Sequence, residues 1–130
     1  MIVLDTHVWI WWVDNNPRLK SSVRDRIDLE DDVRVSAISL LEIATAVSLG
    51  RLVLKPSVEQ WIEVAQTAQQ IRLEPLSAKQ CLDSVSLPGE FHRDPADRLI
   101  VALARILGAE LITADHRILA YPSVVTIAAA

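Results

Sequence analysis

The chain has 130 residues, 51% hydrophobic and 23% charged, with a formal net charge of −4 and a pI near 5.3. These fractions belong to a folded globular protein rather than a disordered one, and the length suits one domain over residues 1–130. No apolar run is longer than Val8–Val13, which falls far short of the ~20 residues of a membrane span, and the acidic balance argues against a broad electrostatic nucleic-acid binder.

In chain order, Met1–Leu4 is an apolar run ending at Asp5 and predicts a buried strand. With no positive leader and an acid at position 5, the start predicts no export signal. Thr6–Val13 predicts a short helix closed by Asp14-Asn15-Asn16, and Pro17 suits the first position of a second helix capped by Asn16 and running to about Glu30. Val33–Ser36 predicts a strand, and a helix from about Ser39 to Leu49 stops at Gly50. Ser57 caps a helical segment with Val58, Trp61, Ile62, Val64, Ala65 and Ala68 on its apolar side. Ile71–Leu76 predicts a third strand, and Ser77 caps a helix to about Leu87. A polar loop from Pro88-Gly89 reaches Asp94, and Pro95 opens an apolar helix to Leu107, ended by Gly108. Glu110–Thr113 and Val124–Ile127 complete the strands. Strands alternating with helices predict an α/β fold: a mostly parallel sheet of about five strands, flanked by helices on both faces. Ligands of such folds sit beyond the carboxyl ends of the strands, where Asp5 and Asp115 fall.

Four acids stand in unusual surroundings. Glu42 is the only charged side chain from Val35 to Gly50, and Asp5 the only one from Met1 to Val13 apart from His7. Asp97 heads an otherwise apolar helical stripe through Val101 and Ala104, and Asp115 follows the apolar Leu111-Ile112-Thr113-Ala114. An ionised carboxylate in apolar surroundings costs several kcal/mol unless paired, and no basic residue holds a matching position in these segments. An external Mg²⁺ or Mn²⁺, bound by hard oxygen donors, is the simplest compensation. Each acid also has a structural alternative. Ser39-Leu40-Leu41-Glu42 matches a capping box. Asp94 before Pro95 suits an N-cap, Asp97 would then favour the helix dipole at N3, and Asp115 suits a turn. Asp5, ending a buried strand, has the least structural use.

Four segments carrying these acids occur in order: Ile2-Val3-Leu4-Asp5-Thr6-His7, Val35-Ser36-Ala37-Ile38-Ser39-Leu40-Leu41-Glu42-Ile43, His92-Arg93-Asp94-Pro95-Ala96-Asp97-Arg98-Leu99-Ile100-Val101-Ala102 and Leu111-Ile112-Thr113-Ala114-Asp115. In this ordered set the chain resembles the PIN-domain ribonucleases, and among them the VapC toxins of toxin–antitoxin pairs. The resemblance implies a PIN-like fold, metal-dependent cleavage of RNA phosphodiester bonds, a VapB-type antitoxin partner and a homodimer, while the single cysteine, Cys81, points to a reducing, cytoplasmic setting. It makes Asp5, Glu42, Asp97 and Asp115 the catalytic quartet, with Asp5, Asp97 and Asp115 as metal ligands and Glu42 either a ligand or the acceptor of a water proton. Asp94 belongs to the local motif in a secondary place. Thr113 shares the strand face of Asp115 and can orient a carboxylate or water. Residues 51–87 carry little of the resemblance.

His7, His92 and His116 match no zinc spacing, and structural or loop-orienting roles are favoured for the first two. Trp9, Trp11 and Trp12 can stack on RNA bases but fit core or dimer contacts better. Arg93, Arg98 and Arg117 beside the motif acids can reach phosphate or form surface salt bridges. Val58–Ala68 can wall a groove for an antitoxin helix or simply pack the core. Cys81, the one cysteine, excludes an internal disulfide, fits a reducing compartment and reads as a small core residue. The rival functions are a Mg²⁺-dependent phosphoacceptor or phosphatase-like signalling module and an RNA-processing PIN nuclease that is no toxin. The phosphoacceptor reading wants paired acids after the first strand, where Thr6-His7 stands, and a late lysine, whereas none follows Lys79.

Overall fold

Successive side chains of a strand point to opposite faces, so a run that is apolar at every position needs cover on both. The computed structural model, which describes residues 1–130, meets that need at Ile2-Val3-Leu4 by making it the central strand. Along the chain run β1 (Ile2–Leu4), α1 (Thr6–Val13), α2 (Ser21–Asp28), β2 (Val33–Ser36), α3 (Ile38–Ser48), α4 (Val58–Ala65), β3 (Ile71–Glu74), α5 (Ala78–Ser84), α6 (Pro95–Leu107), β4 (Glu110–Thr113), α7 (His116–Leu119) and β5 (Thr126–Ala128). The five strands form one sheet in the order β3-β2-β1-β4-β5, parallel throughout. Ile2 lies beside Val33 on one side and Glu110 on the other, Leu4 beside Val35 and Ile112.

Alternation sorts the core into two layers. Ile2, Leu4, Val33, Val35 and Ile112 face Trp9, Ile27, Ile43 and Trp61 from α1 to α4. Val3 and Leu111 face the opposite way, onto Ile100 and Leu103 of α6, Ile118 of α7 and Tyr121. The chain leaves β1 toward β2 and β3 and later returns to place β4 on the other side of β1. The carboxyl ends of β1 and β4 therefore flank the point where strand order reverses, the usual seat of a ligand in an open α/β sheet. Three chain segments turn into helices at that end, at Asp5, at Ala37 and at Asp115.

Several element limits differ from expectation. Pro17 opens a turn rather than a helix: Asn16 Oδ1 accepts from the Arg18 N–H at 2.9 Å, and α2 starts only at Ser21. The short polar side chain satisfies the backbone locally and postpones the helix. α4 ends at Ala65 rather than Ala68, β3 at Glu74, and β5 lies at Thr126–Ala128. The short helix α7 replaces the simple turn expected after β4. Cys81 is exposed rather than in the core. α5 instead buries Gln80 and Ser84 against α6, because the Gln80 amide donates to the Leu99 carbonyl at 3.0 Å and to Ser36 Oγ at 3.3 Å. Of the tryptophans, Trp9 is wholly buried and meets Trp61 edge to face at 5.6 Å. Trp12 donates to Asp28 at 2.8 Å, and Trp11 packs its ring on His7.

Candidate active site

Asp5 sits one residue past β1, where the strand must become a helix. Its Oδ1 accepts the Thr6 N–H at 2.8 Å, capping α1, and its Oδ2 accepts the Thr113 hydroxyl at 2.7 Å. An acid at the end of a buried strand thus has a structural task after all, although one cap does not need a carboxylate held from two elements. Thr113 is fully buried on β4, and its oxygen also accepts the Asp115 N–H at 3.0 Å. This single hydroxyl ties two acids together. His7 fastens the same corner: its Nε2 accepts the Ala114 N–H at 2.9 Å, which leaves the ring proton on Nδ1, 3.6 Å from Asp5 Oδ2.

Glu42 does not close a capping box. α3 begins at Ile38, one residue before Ser39, with Ala37 at its cap position and no side-chain cap. Ser39 is freed from capping and buried. Glu42 lies one turn further along the same face of α3 and accepts the Thr6 hydroxyl at 2.5 Å. Thr6 has one proton to give, so the 2.7 Å contact with Ser39 Oγ is a hydrogen bond that Ser39 donates. Burial raises the Glu42 carboxyl to about 6; the Thr6 hydroxyl opposes the rise, and the negative charges of Asp5, Asp97 and Asp94 add to it.

Asp94 caps α6, its Oδ1 accepting the Asp97 N–H at 3.0 Å, with Pro95 following. The cap turns Asp97 inward at the first turn. Burial raises the Asp97 carboxyl, a hydrogen bond from His92 lowers it in part, and Asp5, Asp94 and Asp115 push it up further. His92 Nε2 lies 2.6 Å from Asp97 Oδ2, while its Nδ1 is buried with no partner. Asp115 caps α7 through the Arg117 N–H at 2.8 Å. Burial alone would raise the Asp115 carboxyl, but hydrogen bonds and charge from Arg117 outweigh it and hold it below the ordinary range. Arg98 reaches no acid. It donates to the carbonyls of Ser84, Phe91 and His92, pinning the loop that delivers His92 and Asp94.

One cleft of about 340 Å³ is lined by Asp5, Glu42, Asp94, Asp97 and Asp115, with Thr6, His7 and Arg117 and an apolar rim of Ile10, Ile43, Ala46 and Leu52. The structure brings all four acids of the quartet to this place, with Thr113 directly beneath. Carboxylate and hydroxyl oxygens are the donors that hard divalent cations prefer, and the mutual repulsion that adds to the effect of burial on Glu42 and Asp97 is what an added positive charge relieves. In that chemical sense the residues fit a divalent ion. As they stand, no three His, Cys, Asp or Glu side chains close around one point, and Thr113, His92 and Arg117 engage oxygens of Asp5, Asp97 and Asp115. Sequence reasoning missed Thr6 and Ser39 as partners of Glu42, although Ser39 stands three residues before it in the same helix. The structural role favoured for His92 and the surface salt bridge favoured for Arg117 are both present, but their shared partner Asp97 was not foreseen, because those contacts cross between elements.

The PIN-domain family model matches residues 2–123. The chain is 35% identical to Ribonuclease VapC22 of Mycobacterium tuberculosis over 117 residues, covering 90% of this chain and 88% of that relative. Among solved structures, it superposes on a chain of VapBC2 from Rickettsia felis bound to a promoter DNA fragment with a TM-score of 0.72 at 18% identity, covering 98% of each chain. It matches a chain of FitAcB from Neisseria gonorrhoeae with a TM-score of 0.71 at 22% identity, covering 98% of this chain and 97% of that one.

Proposed function

Because the chain belongs to the PIN-domain family, we propose that it is a metal-dependent endoribonuclease and the toxin of a toxin–antitoxin pair. The observation that carries this reading is the convergence of Asp5, Glu42, Asp97 and Asp115 in one cleft at the strand ends. The 35% identity to a VapC ribonuclease over most of both chains supports RNA as the substrate. The solved toxin–antitoxin neighbours support a VapB-type antitoxin as partner, and we extend the reading to a cytoplasmic homodimer built from one PIN-like domain over residues 1–130. No helix is long and apolar enough to cross a membrane.

In this proposal Asp5, Asp97 and Asp115 hold Mg²⁺ or Mn²⁺. A bound divalent ion supplies the charge that makes water a nucleophile and neutralises the pentavalent phosphate. The protein's own groups do the rest. Thr113 and the Thr6 N–H fix both oxygens of Asp5 before any ligand arrives. His92 holds Asp97 from behind. Glu42, raised to about 6, is ionised at neutral pH yet basic enough to take the proton of an attacking water. Asp94 keeps α6 in register through its cap and contributes negative charge to the cleft.

The test is a defined RNA incubated with the protein in Mg²⁺, in Mn²⁺ and in EDTA, beside a parallel incubation with acetyl phosphate. Cleavage that requires the ion and no phosphoprotein is the expected result. A stable phosphoprotein without RNA cleavage would establish the signalling alternative instead.

A further inference from the structure

Among the side chains lining the acidic cleft, Arg117 is the only lysine or arginine. One of its terminal nitrogens, Nη2, lies 3.3 Å from Asp115 Oδ2 and 3.5 Å from Asp97 Oδ2. It therefore bridges two acids that arrive from different elements, the first turn of α6 and the cap of α7. The bridge is loose. Tight charge-assisted pairs close to ~2.7–2.9 Å, and the Arg117 side chain is 60% exposed. Its backbone is not loose, since the N–H at position 117 caps α7 on Asp115 Oδ1. The guanidinium can thus swing while its anchor stays at the cleft mouth.

We propose that Arg117 is an exchangeable counter-cation. It spans Asp97 and Asp115 in the metal-free chain, gives both carboxylates up to a divalent ion, and then offers its freed guanidinium to a phosphate of the RNA. This rests on the nuclease reading above and adds a residue to it. Two charges compete for the same oxygens, so the arginine and the ion exclude each other there. Once released, the planar fork of an arginine matches a phosphate better than any other side chain. It is also the one positive side chain with which this cleft meets a polyanion. An ornamental surface salt bridge would affect neither metal nor RNA; a purely structural arginine would strengthen neither.

Opposite signs make the test sharp. Mn²⁺ is titrated into the protein without RNA and followed by electron paramagnetic resonance of the free ion. RNA cleavage is measured separately at saturating Mg²⁺, with kcat and KM resolved. Arg117→Gln is expected to bind Mn²⁺ more tightly, by up to about fivefold, yet to lose at least about tenfold in kcat/KM, mostly through KM. Arg117→Lys keeps the charge without the fork and is expected to fall between wild type and Arg117→Gln in both measurements. It also carries the test should the glutamine variant fail to fold. Mn²⁺ affinity unchanged or weakened in the variants, or undiminished cleavage, overturns the exchange. A wild-type chain that binds no Mn²⁺, or cleaves RNA equally in EDTA, overturns the metal dependence of the nuclease reading and the exchange with it.

Discussion

Glu42 and Asp115 line the same cleft and hold their protons in opposite ways. On the Glu42 wall the partners are hydroxyls, Thr6 and behind it Ser39, which donate hydrogen bonds but carry no charge. Burial and the neighbouring acids then prevail, and the carboxyl rises to about 6. On the Asp115 wall a shallower burial is outweighed by the hydrogen bonds and charge of Arg117, and the carboxyl falls. Asp97 stands between the walls: His92 and Arg117 both touch its Oδ2, yet burial and three neighbouring acids still leave it raised. Proton affinity here follows depth of burial first, and falls only where a shallower carboxyl also meets a full positive charge. In the proposed mechanism the neutral wall supplies the base and the cationic wall the anions that hold the ion.

The hardest break of that contrast is Asp97→Asn, which removes the acid shared by both walls. We expect metal-dependent RNA cleavage to drop by at least about a thousandfold, the scale of losing several kcal/mol of electrostatic stabilisation. The fold should survive, because the raised carboxyl already disfavours its ionised form. Metal-free thermal unfolding at pH 7.5 checks the second half, and undiminished turnover would remove Asp97 from the mechanism.

Glu42→Gln sharpens the contrast through pH. The folded carboxyl sits at about 6 against an ordinary 4.5, so the fold favours the protonated form. That favour is complete below pH 4.5 and is lost as pH rises through 6. The displacement corresponds to at most about 2 kcal/mol, and the partial exposure of Glu42 brings it nearer 1 kcal/mol. Metal-free Glu42→Gln should therefore be more stable than wild type by about 1 kcal/mol at pH 7.5, with most of that difference gone at pH 4.5, in urea titrations at both values. Cleavage by wild type should fall below pH 6, and the variant should lose that limb together with about a hundredfold of its rate.

The acids were legible because each interrupts an apolar stretch: Glu42 alone across Val35–Gly50, Asp5 alone among the acids of Met1–Val13. The parallel sheet was legible for a related reason, since strands apolar on both faces must be interior. Partners were not legible. Ser39 and Glu42 matched a capping box until the cap position proved to be Ala37, two residues earlier, a shift within the ordinary uncertainty of helix ends. His92 reaches Asp97 from a loop whose carbonyls Arg98 holds, and nothing local announces that. Cys81 was misplaced because a polar pair, Gln80 and Ser84, holds the buried side of its helix, against the usual habit of apolar residues inside.

The smallest expected effect separates a relay of hydroxyls from mere packing. Ser39 donates to Thr6, and Thr6 donates to Glu42. A donor that itself accepts a hydrogen bond is polarised, strengthening the next bond by roughly 10–30%. Ser39→Ala withdraws that support while leaving Thr6 and Glu42 in place. The ionised carboxylate then loses part of its only opposing stabilisation, and its affinity for the proton climbs further. The acid limb of the cleavage profile should move up by roughly 0.3 pH, so that activity at pH 6 falls by about a third while activity at pH 8 is unchanged. Equal losses at both values would mean that Ser39 only fills space, because a packing defect has no reason to know where Glu42 titrates.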